Sequence, residues 1–138
     1  MTLSKSEITQ LIREWLTAWN EHNLDMVMIL LHKEVIFENW TGSGNIGKDM
    51  LRKSWRLWFG NHGNFIFTEE DIFVDEQEQK AVFTWSLAWP SLENNYKGRQ
   101  EIRRGVDILY FKDGQIYRKY SYSKTTIHID GIQVTLSA

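Results

Sequence analysis

Gly105-Val106-Asp107-Ile108-Leu109-Tyr110-Phe111-Lys112-Asp113-Gly114-Gln115-Ile116 is the stretch on which the fold turns. Its Asp113-Gly114 pair marks a two-residue hairpin loop, because both residues tolerate the positive φ of a primed turn. The run before it is therefore a strand that ends there, and the period-two alternation of side chains sets two faces. Asp107 shares one face with Gly105, Leu109 and Phe111, while Val106, Ile108 and Tyr110 occupy the other. Neither face is a polar exterior. A carboxylate among apolar neighbours must be paired, hydrogen-bonded or protonated. Two readings of Asp107 stay open: an acid/base or hydrogen-bond donor facing a pocket, or a structural partner of Arg103, Arg118 or Lys119.

Working outward, the turn leads into a strand from Ile116 to Ser123, and the long strand reaches back to about Tyr96. Upstream, Ala81 to Trp89 alternates, with Phe83, Trp85, Leu87 and Trp89 on one face. The only proline, Pro90, ends it, as a residue without a ladder donor should. Phe65–Phe67 and Ile72–Val74 read as two short strands around an acidic break at Glu69-Glu70-Asp71. The tail from Ile132 to Leu136 alternates weakly and is expected as an edge strand or a partner contact.

The first half is helical. Ser4-Lys5-Ser6-Glu7 reads as a capping box. Ile8, Leu11, Ile12, Trp15, Leu16 and Trp19 then follow the helical series without a miss. The pattern breaks at Asn20-Glu21-His22-Asn23. The apolar run Met26–Leu31, with Asp25 near its start, predicts a short, deeply buried second helix. Val35-Ile36-Phe37 begins a brief strand toward Trp40, and a glycine-rich loop from Thr41 to Gly47 enters a third helix carrying Leu51, Trp55, Trp58 and Phe59. Helices first and hairpin-linked strands after imply an α+β architecture, with helices packed on one face of a curved antiparallel sheet around a cavity.

Composition narrows the function classes. At 138 residues the chain is expected to be one domain, 1–138, burying about 68% of its unfolded surface. The net charge is −2 and no block of one sign appears. Arg99 and Arg103-Arg104, flanked by Glu101, are too few for a nucleic-acid footprint. There is no cysteine, hence no disulfide and no thiolate chemistry, which fits a reducing cytoplasm. The N-terminus lacks the apolar core of a signal peptide, and no run approaches the ~20 apolar residues of a membrane span. A cytoplasmic location is expected, with no membrane and no nucleic-acid partner. The unusual feature is seven Trp, seven Phe and five Tyr, enough to wall a site for a flat ligand or to build a core.

Other patterns carry less. Gly42-Ser43-Gly44-Asn45-Ile46-Gly47-Lys48 satisfies G-x-G-x-x-G and G-x-x-x-x-G-K, but Asp49 would repel phosphates and no βαβ units follow. It reads as a flexible turn. His22, His32, His62 and His128 are scattered without an HxH or HxxxH pair, so no metal site is expected. No G-x-S-x-G elbow is present. Lys119 and Ser121 share a strand face with Tyr117 and Ser123; by analogy this face lines the cavity too, but the stronger reading is a half-exposed strand with Lys119 reaching solvent.

In order and spacing the chain resembles the SnoaL-like proteins of the nuclear transport factor 2-like, ketosteroid-isomerase-like superfamily. The marks are Trp19-Asn20-Glu21-His22-Asn23-Leu24-Asp25, Val35-Ile36-Phe37-Glu38-Asn39, Gly47-Lys48-Asp49, Tyr96-Lys97-Gly98, Arg104-Gly105-Val106-Asp107 and Asp113-Gly114-Gln115-Ile116. The resemblance implies a cystatin-like half-cone of curved antiparallel sheet with N-terminal helices enclosing a cavity. Ketosteroid isomerases use a base Asp with a Tyr and a protonated Asp as oxyanion donors. By that resemblance Asp107 falls at the protonated Asp, Trp15 at the tyrosine and Asn39 at the base. An amide takes no proton at neutral pH and an indole N–H only donates, so steroid isomerisation by that route is not expected.

Polyketide cyclases of the SnoaL type look closer. They suggest a cofactor-free cyclase or isomerase acting on a small apolar molecule through Asp107. Trp15 and Asn39 would orient the substrate, and Phe37, Trp85, Trp89 and Leu109 would shape the pocket. The alternative is a non-catalytic ligand-binding or protein-interaction module of the same fold. The family resemblance also implies a homodimer through the outer sheet face, where Val106, Ile108 and Tyr110 lie.

Overall fold

Helix α1 (Lys5–Asn20) starts where its capping box requires: the Ser4 hydroxyl accepts from the Glu7 N–H and the Glu7 carboxylate accepts from the Ser4 N–H. It ends in a Schellman turn. His22 takes φ 57°, its N–H reaches the Trp19 carbonyl, and the Asn23 N–H reaches Ala18. Asn23 then caps α2 (Leu24–Ile29) by accepting from the Met26 N–H. The polar break Asn20–Asn23 is thus the end of one helix and the start of the next. The computed structural model describes residues 1–61 and 63–136; His62 lies outside them.

The remaining elements are β1 (Leu31–Glu38), β2 (Gly44–Ile46), α3 (Lys48–Asn61), β3 (Ile66–Asp75), β4 (Lys80–Pro90), β5 (Gln100–Lys112), β6 (Gln115–Ser123), β7 (Thr126–Ile129) and β8 (Ile132–Thr135). The sheet runs in the order β2-β1-β6-β5-β4-β3 and curls into a half-barrel, with the β7–β8 hairpin attached to the end of β5. Register breaks between Glu69 and Asp71, between Tyr110 and Phe111, and along β1 bend the strands, as bulges do. The α1 face of Ile8, Leu11, Ile12, Trp15, Leu16 and Trp19 is buried, and the helix packs across β3.

Several expectations are corrected. The second helix is not deeply buried: Val27 and Met28 are, but Met26 and Ile29 are exposed, because six residues span under two turns and only one side meets the core. Leu31, read as its end, opens β1. The acidic break at Glu69–Asp71 is a bulge within one continuous strand. The loop from Thr41 to Gly47 contains β2, whose residue Gly44 leaves no room for a Cβ against the Phe37 carbonyl. The sheet is mixed, since β1 runs parallel to β6. Tyr96 lies in a turn before β5. The Asp113-Gly114 turn has φ 53° and 76°, the primed geometry the sequence demands. No helix among the described residues is long and apolar enough to cross a membrane.

Candidate functional site

The inward face of β5 carries Glu101, Arg103, Gly105 and Asp107 in succession, then the apolar Leu109 and Phe111. Antiparallel pairing sets Trp85 of β4 opposite Gly105, and Ser121 and Lys119 of β6 opposite Asp107 and Leu109. Both long side chains therefore approach Asp107 along a diagonal. The Trp85 indole crosses directly over Gly105, where a Cβ would stand 2.4 Å from its ring, and donates to Asp107 Oδ1 at 3.0 Å. Lys119 Nζ forms an ion pair with Asp107 Oδ2 at 3.1 Å and donates to Ser121 Oγ at 2.7 Å. Each carboxylate oxygen thus has a donor. Of the cations the sequence offered as partners, only Lys119 meets Asp107.

Lys119 is 6% exposed and Asp107 4%, so this pair is held away from bulk water. The Phe37 ring lies 4.6 Å from Nζ and the Trp15 ring 5.8 Å. Burial pushes the Lys119 ammonium below the usual lysine range; the charge of Asp107 and its hydrogen bond oppose that shift but rank behind the loss of water.

Above the pair opens a cavity of about 430 Å³, bounded by α1, α3, β1, the inward faces of β3–β6 and the loops that follow β1 and β4. All seven tryptophans of the chain (Trp15, Trp19, Trp40, Trp55, Trp58, Trp85 and Trp89) border it, with Phe37, Phe67 and Phe83. Trp19 meets Trp55 edge to face at 4.8 Å and Trp58 at 5.2 Å, and its indole nitrogen, enclosed by rings, has no hydrogen-bond acceptor. Such a wall suits a flat apolar molecule.

A second buried pair stands at the start of β5. Glu101, fully buried, accepts from Arg103 Nε at 3.1 Å and Nη2 at 3.2 Å, from the Ser91 hydroxyl at 2.9 Å, and from the Trp89 indole. Arg103 also pairs with Glu93 at 2.9 Å and lies under the Trp40 ring at 5.1 Å. Arg103 is therefore committed to Glu101 and Glu93. Arg118 stacks on Tyr110 and Tyr117 on the far side of the sheet.

Of the residues singled out by sequence, Asp107, Trp15, Phe37, Asn39, Trp85 and Trp89 border the cavity. Leu109 does not. It is fully buried in the core, because the cavity occupies only one end of β5 and the other end packs as core with Phe111 and Ile116. Asn39 Oδ1 accepts from the Thr41 N–H at 3.0 Å and hydroxyl at 2.6 Å, which leaves its amide N–H₂ as the donor it can offer.

Lys119, which the sequence offers both as a partner of Asp107 and as a side chain reaching solvent, takes the first role. The bulge at Tyr117 turns that side chain outward onto Tyr110, while Lys119 and Ser121 face in. An acid on one strand opposite a lysine on the next was the available signal. Among the described residues no three His, Asp or Glu side chains converge as a metal would need. His32 is 6% exposed, with Nδ1 accepting from the Glu34 N–H at 3.0 Å.

The profile of the SnoaL-like domain family matches residues 12–119. No match was found among curated proteins. Similar solved structures include a nuclear transport factor 2-like protein of unknown function from Burkholderia pseudomallei K96243, 16% identical, covering 88% of this chain and 92% of that one, TM-score 0.74. A proposed polyketide cyclase from Pseudomonas putida KT2440 is 17% identical, covering 88% and 91%, TM-score 0.69. A proposed ketosteroid isomerase from Kribbella flavida DSM 17836 is 17% identical, covering 86% and 78%, TM-score 0.67. At such identities these likenesses establish the shared fold.

Proposed function

Because this chain belongs to the SnoaL-like domain family, we propose that its cavity binds a flat, largely apolar, carbonyl-bearing molecule and that Asp107 moves a proton on it. One observation carries the reading: a buried acid–amine pair, Asp107 and Lys119, lies beneath a space bordered by every tryptophan of the chain. Rings hold the ligand by stacking. Lys119 donates toward its carbonyl oxygen, and Asp107 takes a proton from the neighbouring carbon. Trp15 and the Asn39 amide orient it. The reaction class, isomerisation or cyclisation, follows the proposed activities of two of the structural neighbours. Such proton transfer needs no cofactor.

A second reading has an observation of its own. Both Asp107 oxygens are already engaged, by Trp85 and Lys119, as they would be in a binding module whose pair only steadies the cavity floor.

Exchange of α-protons in D₂O separates the two. With 2-acetylnaphthalene as probe, the wild type should accelerate exchange and Asp107→Asn should lose roughly 10²–10⁴-fold of that acceleration. Affinity measured by calorimetry should hold. Binding without any exchange by the wild type would leave the non-catalytic module as the function.

A further inference from the structure

Lys119 is the only buried lysine among the described residues, and it borders the cavity. We propose that Lys119 is a nucleophile that captures an aromatic aldehyde or ketone as a Schiff base. The inference rests on the reading of the cavity as a carbonyl site and goes one step further, from hydrogen bonding to a covalent bond.

The surroundings suit that step. An ammonium has three N–H donors. Two directions meet Asp107 and Ser121, and the other neighbours are the Phe37 and Trp15 rings. Taking this amine out of water favours its neutral form, the form that attacks carbonyl carbon. A base within 3.1 Å removes any need for solvent to carry the protons.

The atoms balance on these two side chains. Lys119 passes one proton to Asp107, and the amine lone pair forms the C–N bond as the carbonyl π pair moves to oxygen. Asp107 returns that proton to the oxygen, giving the carbinolamine. It then takes a second proton from nitrogen and delivers it to the hydroxyl. Water leaves, the nitrogen lone pair forms the iminium, and Asp107 ends as the carboxylate it began as. The sum is one carbonyl compound and one ammonium giving one iminium and one water. An iminium withdraws electrons more strongly than a neutral carbonyl, so the adjacent Asp107 is better placed to remove an α-proton from it.

The test uses 6-methoxy-2-naphthaldehyde with sodium cyanoborohydride at pH 7, which reduces an imine to a stable secondary amine, read by peptide mass mapping. The Lys119 peptide should be labelled at least roughly ten times more than any other lysine peptide, since burial favours the free amine that attacks the carbonyl. Lys119→Arg, which keeps the cation but forms no imine, should abolish that label, and excess 6-methoxy-2-naphthalenemethanol should suppress it in the wild type without any mutation. If the alcohol binds by calorimetry but Lys119 is labelled no more than other lysines, the Schiff base is overturned while the cavity reading stands. If the alcohol does not bind and no selective label forms, both fall.

Discussion

Asp107 and Lys119 are each tolerable in the interior because the other is there. Removing one partner of a buried pair leaves an uncompensated charge, a larger loss than the net value of the pair. Lys119→Met should therefore destabilise by about 3 kcal/mol in urea titration. Asp107→Asn keeps an acceptor for Trp85 and should cost less than Lys119→Met. The pH dependence has a definite sign. The folded Lys119 is held below the lysine reference of 10.5, so between its lowered value and 10.5 the unfolded chain binds more protons. Stability then rises with pH through that window. Below it both states are charged and the burial penalty is present in full. The stability difference between wild type and Lys119→Met should shift toward the wild type as pH approaches 10.5; a difference independent of pH would show that Lys119 stays charged throughout.

Strand β5 carries its site only because Gly105 lacks a side chain. A Cβ there would sit 2.4 Å from both the Trp85 ring and the Tyr122 carbonyl, and only the indole can move. Gly105→Ala should cost about 1–3 kcal/mol and, by displacing the donor to Asp107, weaken ligand affinity more than a remote mutation of equal stability. Gly131 differs, because its φ of 82° lies in open space. Gly131→Ala should cost only about 1 kcal/mol of backbone strain and leave the site untouched. These strands show what was legible. Asp113-Gly114 fixed β5 and β6 because a primed turn admits few residues. Asp130-Gly131, with φ 49° and 82°, is the same signal for the β7–β8 hairpin and a plainer one than the weak alternation that follows it. Alternation placed the β4 face correctly but misplaced Tyr117, since a bulge shifts parity and leaves no mark in residue type. Pleat also put Leu109 beside Asp107 without revealing that the cavity ends between them. How far a cavity extends depends on sheet curvature and helix placement, which no local pattern encodes.

Seen whole, the fold encloses a space instead of filling it, and a ligand that fills that space stabilises the folded chain by mass action. A flat aromatic ketone at 100 times its dissociation constant should add about 2.7 kcal/mol, raising Tm by roughly 10 °C. The outer sheet face is apolar across several strands: Phe73, Val82, Ile108 and Tyr120 lie in one cross-strand row, with Val106 and Tyr122 beside it. We expect two copies to pair there, and light scattering should return the mass of two chains; a monomer at all concentrations would rule it out. The cavity wall has one further consequence. With all seven indoles bordering a single space and none elsewhere, the tryptophan emission of this protein, excited selectively at the red edge, originates entirely at its site. Neighbouring rings at centroid distances of 4.8–6.0 Å exchange excitation, so one bound chromophore quenches the whole set. An emission titration thus reads occupancy without a label, for any candidate ligand and before any reaction is known.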